Sequence, residues 1–264
     1  MHKRVLWMVG LIALGACAGS CASTQANQAA TPSDLARARY NAGMAELEAG
    51  NYTESIQEFS QVVRSPGYVK YGALARLRIA DALFLQEKYD AAIENYRVFL
   101  QQFTGNPNAG YARFRIGHAL YEKIPAVWFL SPPAHEREQR HVRAAGQALR
   151  RFVSLYPTNR MTGRAQELLD SCDRILYEHE LYVAEFYRER EKPAGVVLRL
   201  ERAFQNYPDL AGTEDNFMML AQAHAQTGRL GRAKLIYEAY MERFPGGEYR
   251  DQAQSSLDAI QTVE

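Results

Sequence analysis

The chain has 264 residues, and its 31 basic side chains almost balance its 30 acidic ones, leaving a formal net charge of +1. That balance supplies no broad field to hold nucleic acid, so no nucleic-acid partner is expected. Of its 3 cysteines only Cys172 lies beyond Cys21, which excludes a disulfide-stapled fold.

Met1 to Arg4 are basic, and Val5 to Ala16 form an apolar run. The run is shorter than the roughly 20 residues a membrane-crossing helix needs, but it suits a secretory signal. It ends in Leu14-Gly15-Ala16-Cys17, which resembles the bacterial lipobox. Residues 1–16 are therefore read as a lipoprotein signal peptide and Cys17 as the lipidated residue, with Cys21 as the alternative. A lipidated cysteine carries several acyl chains, at about 0.8 kcal/mol per buried methylene, which gives a firm anchor. By resemblance to known lipoproteins, Ala18 rather than Asp after Cys17 favours the outer membrane. Residues 17–33 are small and polar and read as a flexible tether.

From Ala36 to Val63 the pattern is two short amphipathic helices around Gly50-Asn51-Tyr52, with Ser33 or Asp34 available as N-cap. Tyr52, Ile56 and Phe59 recur as Tyr89, Ile93 and Tyr96. One hairpin cannot bury its own apolar stripe, whereas stacked copies can. Ile116-Gly117 matches Ile79-Ala80 and opens a third copy, which Ile124 to Pro133, apolar and rich in proline, then interrupts. The chain resumes as helix near Glu136. Met161 to about Glu191 reads as one long helix or two nearly continuous ones. Tyr156-Pro157, Tyr207-Pro208 and Phe244-Pro245 close the last three copies, because proline disfavours helix in the residue before it. No alternating strand pattern occurs. The expectation is an all-α fold, a tetratricopeptide-repeat superhelix of five helical hairpins. Repeats 1–3 would span 34–157 and repeats 4–5 would span 158–264.

No catalytic set stands out. The histidines are scattered without HExxH spacing, and no GxSxG or phosphate-cradling glycine pattern occurs. Neither a cofactor nor a metal is expected, and the chain reads as a binding protein rather than an enzyme. His179 is read as a helix-surface residue, Glu136-Arg137-Glu138 as a solvated helix face, and Cys172 as a small apolar core residue. Registering the repeats on their small residues puts a candidate peptide groove on Tyr40, Met44 and Leu47 of repeat one. Leu74, Leu77, Arg78 and Phe84 continue it in repeat two, and Tyr111, Phe114, Arg115, His118 and Tyr121 in repeat three. Apolar pockets beside Arg78 and Arg115 would suit an extended peptide with aromatic side chains and a free carboxylate.

Three stretches carry a more specific resemblance: Glu178-His179-Glu180-Leu181-Tyr182-Val183-Ala184-Glu185-Phe186-Tyr187, Glu136-Arg137-Glu138 leading to Arg143-Ala144-Ala145, and Val196-Val197-Leu198-Arg199. With the lipobox and the repeats, they resemble the BamD family of outer-membrane assembly lipoproteins. The resemblance implies a scaffold of the β-barrel assembly machinery, lipid-anchored at the periplasmic face of the outer membrane. The first three repeats would receive unfolded outer-membrane protein precursors. The last two would dock on a BamA-type insertase through Arg199 and Tyr187, with other assembly lipoproteins as further partners. For Arg199 the other reading is an ion pair with Glu201 or a neighbouring carboxylate. For the whole chain the alternative is a periplasmic repeat adaptor serving cell-wall or envelope coordination.

Overall fold

The computed structural model describes residues 31–65, 69–125 and 132–262. The signal peptide, Cys17, Cys21 and most of the tether lie outside these residues, as do Trp128 and Phe129 of the interrupting loop. The described residues are helical, with no strand among them.

Ten helices form five hairpins in chain order: α1 (Pro32–Glu48) with α2 (Tyr52–Arg64), α3 (Val69–Leu85) with α4 (Tyr89–Gln102), and α5 (Ala109–Glu122) with α6 (Arg140–Leu155). Then come α7 (Thr162–Glu189) with α8 (Pro193–Asn206) and, after the short α9 (Pro208–Ala211), α10 (Glu214–Gln226) with α11 (Leu230–Arg243). A last helix, α12 (Arg250–Gln261), covers the end of the stack. Each long helix packs on the next long one, with α10 packing on α8 past the short α9, and α1 also packs on α3 and α5 on α7. Successive second helices make no comparable contact, so the first helix of each pair lies on the inner side of the curve.

Small residues fix these approaches. A Cβ on Gly43 would lie 2.8 Å from the Phe59 ring, and one on Gly117 2.8 Å from a Leu149 methyl, so the first and third hairpins close tightly only over glycine. The turn inside four hairpins holds one left-handed residue, Gly50 and Gly228 in the outer copies and Glu87 and Glu191 in the others. Phe103, Tyr156, Tyr207 and Phe244 all end second helices in the same backbone conformation, φ near −130° and ψ near 60°. Phe103, Tyr156 and Phe244 each set their ring on the aromatic ring one turn earlier, at 5.4–5.5 Å. The aromatic stop therefore belongs to four repeats, one more than its proline-marked form shows.

The long helix expected from Met161 is α7, a single helix of 28 residues. Its first half buries Leu168, Leu169 and Cys172 against α6, and its second half buries Ala184 against α8. Cys172 is a free, buried thiol, and burial pushes its pKa up to about 12.

Two local expectations are corrected. The α1 N-cap is Thr31 rather than Ser33 or Asp34: its hydroxyl accepts from the Asp34 N–H while Asp34 accepts from the Thr31 N–H, a capping box. Pro32 at the first helical position explains the earlier start. Glu136-Arg137-Glu138 is not an α-helix; Ala134–Glu136 is a single 3-10 turn, and α6 starts at Arg140. Buried Gln139 holds that link by donating to the carbonyls of Ala134 and Arg137.

Candidate functional site

The inner helices α1, α3 and α5 bring most of the expected groove residues together, around a residue that the sequence reading passed over. Asp81 of α3 is 4% exposed, and its carboxylate is the hub of repeats one to three. Tyr96 of α4 donates to its Oδ1 at 2.5 Å and Tyr111 of α5 donates to the same atom at 2.8 Å. Arg78, one helical turn earlier, donates to Oδ2 at 2.7 Å. Arg115 Nε donates to the Tyr96 hydroxyl at 3.1 Å and lies 3.9 Å from Oδ1. Burial first, then the Asp81 charge, push the Tyr96 and Tyr111 phenols well above their ordinary pKa, so both stay neutral donors.

This arrangement corrects the picture of Arg78 and Arg115 as free cationic donors. Both are already engaged with an internal carboxylate, because a buried carboxylate must be paired. They are not exhausted, however. Two guanidinium charges face one carboxylate, which leaves one positive charge in excess. Arg115 also lies over the Phe84 ring at 3.9 Å, a cation–π contact that fixes its plane.

The apolar groove residues divide. Leu77 and Phe114 are 2% and 6% exposed and belong to the core between helices, so they cannot line an open groove. Their positions face the paired second helix, which the register on small residues did not separate from the inner face. Tyr40, Met44 and Leu47 are half-buried and lean on the first-repeat core. Leu74 is half-buried and belongs to none of the core clusters. His118 sits between the Phe84 and Phe114 rings at 5.0 and 5.6 Å, its Nε2 3.1 Å from Glu122. Burial, aided by the Arg115 charge, pulls its pKa below the ordinary value, and its Nδ1 is buried without a hydrogen-bond partner. Tyr121, half-buried against the core of α5 to α7, sets its hydroxyl 3.0 Å from Ser171 Oγ.

In the C-terminal repeats Arg199 is held by Glu180 of α7, not by Glu201, at 3.1 Å. Arg202 reaches the other Glu180 oxygen at 3.4 Å, and Glu180 is only 3% exposed. Glu201 instead meets His224 at 3.3 Å. Tyr187 covers Gly195: a Cβ there would lie 2.5 Å from the ring. His179 is more than a surface residue, since its Nδ1 lies 2.6 Å from the His135 carbonyl and ties α7 to the 3-10 turn. Asp81 had a sequence signal, an acid three residues after an arginine inside the apolar run Ile79-Ala80-Asp81-Ala82-Leu83-Phe84. Glu180 had none, since its partner Arg199 stands 19 residues on, in another helix.

Fold and site together define a helical-repeat protein of the tetratricopeptide kind, with a charged inner face and no helix among the described residues long and apolar enough to cross a membrane. The chain belongs to the YfiO family, described as outer membrane lipoprotein, whose model matches residues 32–232. It is similar to outer membrane protein assembly factor BamD of Haemophilus influenzae, 26% identical over 85% of this chain and 86% of that one. It is also similar to the BamD of Caulobacter vibrioides, 23% identical over 80% of this chain and 66% of that one. Among solved structures, the TPR2AB domain of yeast Sti1 aligns with a TM-score of 0.41 at 13% identity, over 88% of this chain and 84% of that chain. Family membership supports a role in outer membrane protein assembly and an association with the outer membrane.

Proposed function

We propose that this chain is a non-catalytic scaffold that holds the carboxy-terminal, aromatic-ended segment of an unfolded outer-membrane protein on the inner face of repeats one to three. The observation that carries this reading is the charge of the Asp81 cluster. A peptide carboxylate arriving at Arg78 and Arg115 meets the positive charge that Asp81 leaves uncompensated, with guanidinium planes already oriented by Tyr40, Tyr96 and Phe84. Leu74, Tyr111 and the Phe84–His118 pair supply apolar contact beside it. Ordering an extended chain is costly, so a few preorganised contacts must provide most of the affinity.

In the same reading Cys17, or Cys21, carries the lipid that anchors the chain at the periplasmic face of the outer membrane. Repeats four and five dock on a BamA-type insertase at the α7–α8 edge. There Glu180 holds Arg199 in place, and Tyr187 packs over Gly195, one helical turn before Arg199 on α8. Other assembly lipoproteins complete the assembly.

The test is a titration of the full-length chain with the last residues of a barrel protein, as the free acid and as the carboxy-terminal amide. The amide should bind at least tenfold more weakly, and Leu74→Glu should weaken the free acid by a similar factor. Equal affinity for acid and amide would rule out carboxylate capture by the two arginines. Co-purification of the insertase from solubilised membranes, lost on Arg199→Glu, tests the docking edge separately.

A further inference from the structure

A second groove lies on the outer side of the stack, where α4 and α6 flank α5. It is a recess of about 440 Å³, floored in part by Leu100 of α4 and by Ile116 and Leu120 of α5, all half-buried. Its charged lining residues are Arg97, Arg113 and Arg151, with no carboxylate among the residues that line it. Arg113 donates to the Tyr156 hydroxyl at 3.2 Å, and among the described residues none of the three meets a carboxylate. In a chain of almost balanced charge, elsewhere rich in internal ion pairs, three arginines around one apolar recess are a local excess.

This groove is separate from the inner one. On α5, Arg113, Ile116 and Leu120 follow one helical stripe, while Tyr111, Arg115 and His118 follow another. Arg113 and Arg115 are two residues apart, about 200° around a helix, so the stripes face opposite ways.

We propose that this outer groove docks an acidic, amphipathic peptide segment of a partner protein, its apolar side chains entering the recess and its carboxylates pairing with Arg97, Arg113 and Arg151. Guanidinium groups favour carboxylates because their paired N–H donors match the two oxygens. The shape argues for a protein segment over a lipid surface. A bilayer is entered by side chains that project, whereas the apolar floor here is recessed and accepts side chains that project from the other partner. The proposal does not depend on precursor capture at Asp81.

The test uses the full-length chain and a labelled helical peptide carrying leucine at i, i+3 and i+7 with glutamates on its flanks, followed by fluorescence anisotropy. The wild type should bind it at least tenfold more tightly than Arg97→Glu/Arg151→Glu, and the same peptide with glutamine for glutamate should lose a similar factor. Both substituted positions are exposed, so the helical circular dichroism should be unchanged, and binding of a barrel-protein carboxy-terminal peptide should be unaffected. Equal binding by wild type and variant would overturn the proposal. So would charge-dependent sedimentation with phosphatidylglycerol vesicles, abolished in the variant, in the absence of peptide binding.

Discussion

The Tyr96 hydroxyl donates to the Asp81 carboxylate at 2.5 Å, joining the second helix of repeat two to the inner face that α3 and α5 share. Through Tyr111 and Arg115 the same carboxylate reaches repeat three. Removing one hydroxyl from this hub should be felt as stability. Tyr96→Phe should lower the unfolding free energy by about 1.5–3 kcal/mol, the usual worth of a hydrogen bond to a charged group. Asp81→Ala should cost more, on the order of 3–5 kcal/mol, because it strands two arginines and two phenols. Urea denaturation followed by circular dichroism checks both. A change below ~0.5 kcal/mol for Asp81→Ala would show that the hub does not hold the repeats together.

Arg199 has a structural duty whatever it contacts outside the chain. Glu180 is buried, so Arg199→Ala should destabilise the fold by roughly 1–3 kcal/mol. Glu180→Gln should retain more stability than Arg199→Ala, since a neutral amide needs no counter-charge. Comparing the urea midpoints of the two variants decides the order.

The hairpin turns of repeats two and four carry glutamate in the left-handed region, at φ 60° for Glu87 and 53° for Glu191. A side chain there is strained by about 1–2 kcal/mol, partly offset by the entropy glycine loses on folding. Glu87→Gly and Glu191→Gly should therefore each raise stability by roughly 0.5 kcal/mol. Gly50→Ala and Gly228→Ala should lower it, and thermal melts of the four variants test the sign.

His224 is 2% exposed, and burial pulls its pKa below the ordinary value, against the pull of Glu201 and with the push of Arg229 and Arg232. The folded state therefore binds its proton less readily than the unfolded chain. Stability from this site is present above the unfolded value, about 6.5, and is lost as pH falls through the folded value. His118 acts in the same direction. The urea midpoint should drop between about pH 7 and pH 5, and His224→Gln should flatten part of that slope.

The hairpins were legible because their signals are local. Glycine at Gly50 and Gly228, aromatic–proline stops and recurring apolar stripes each act within one or two turns of helix. The N-cap moved to Thr31 because Pro32 already suits the first helical position, a cue that outweighs the later Ser33 and Asp34. The site was only half legible. Periodicity shows that a position faces inward, but not whether it meets its hairpin partner, as Leu77 and Phe114 do, or an open face, as Leu74 does. Nor does it show which polar groups pair: Asp81 with Tyr111 depends on how neighbouring hairpins settle on each other, and Glu180 with Arg199 on how α7 and α8 close within one hairpin. The Glu-His-Glu-Leu-Tyr stretch marked the family, and the structure adds that its Glu180 is the buried counter-charge of α8.

The most direct test of precursor capture is site-specific photo-crosslinking. A benzoylphenylalanine at Leu74, on the inner face, should crosslink to the carboxy-terminal segment of a barrel precursor, and one at exposed Leu235 of α11 should not. Free peptide acid should compete the crosslink away. Labelling at Leu235 with none at Leu74 would contradict binding on the inner face of repeats one to three.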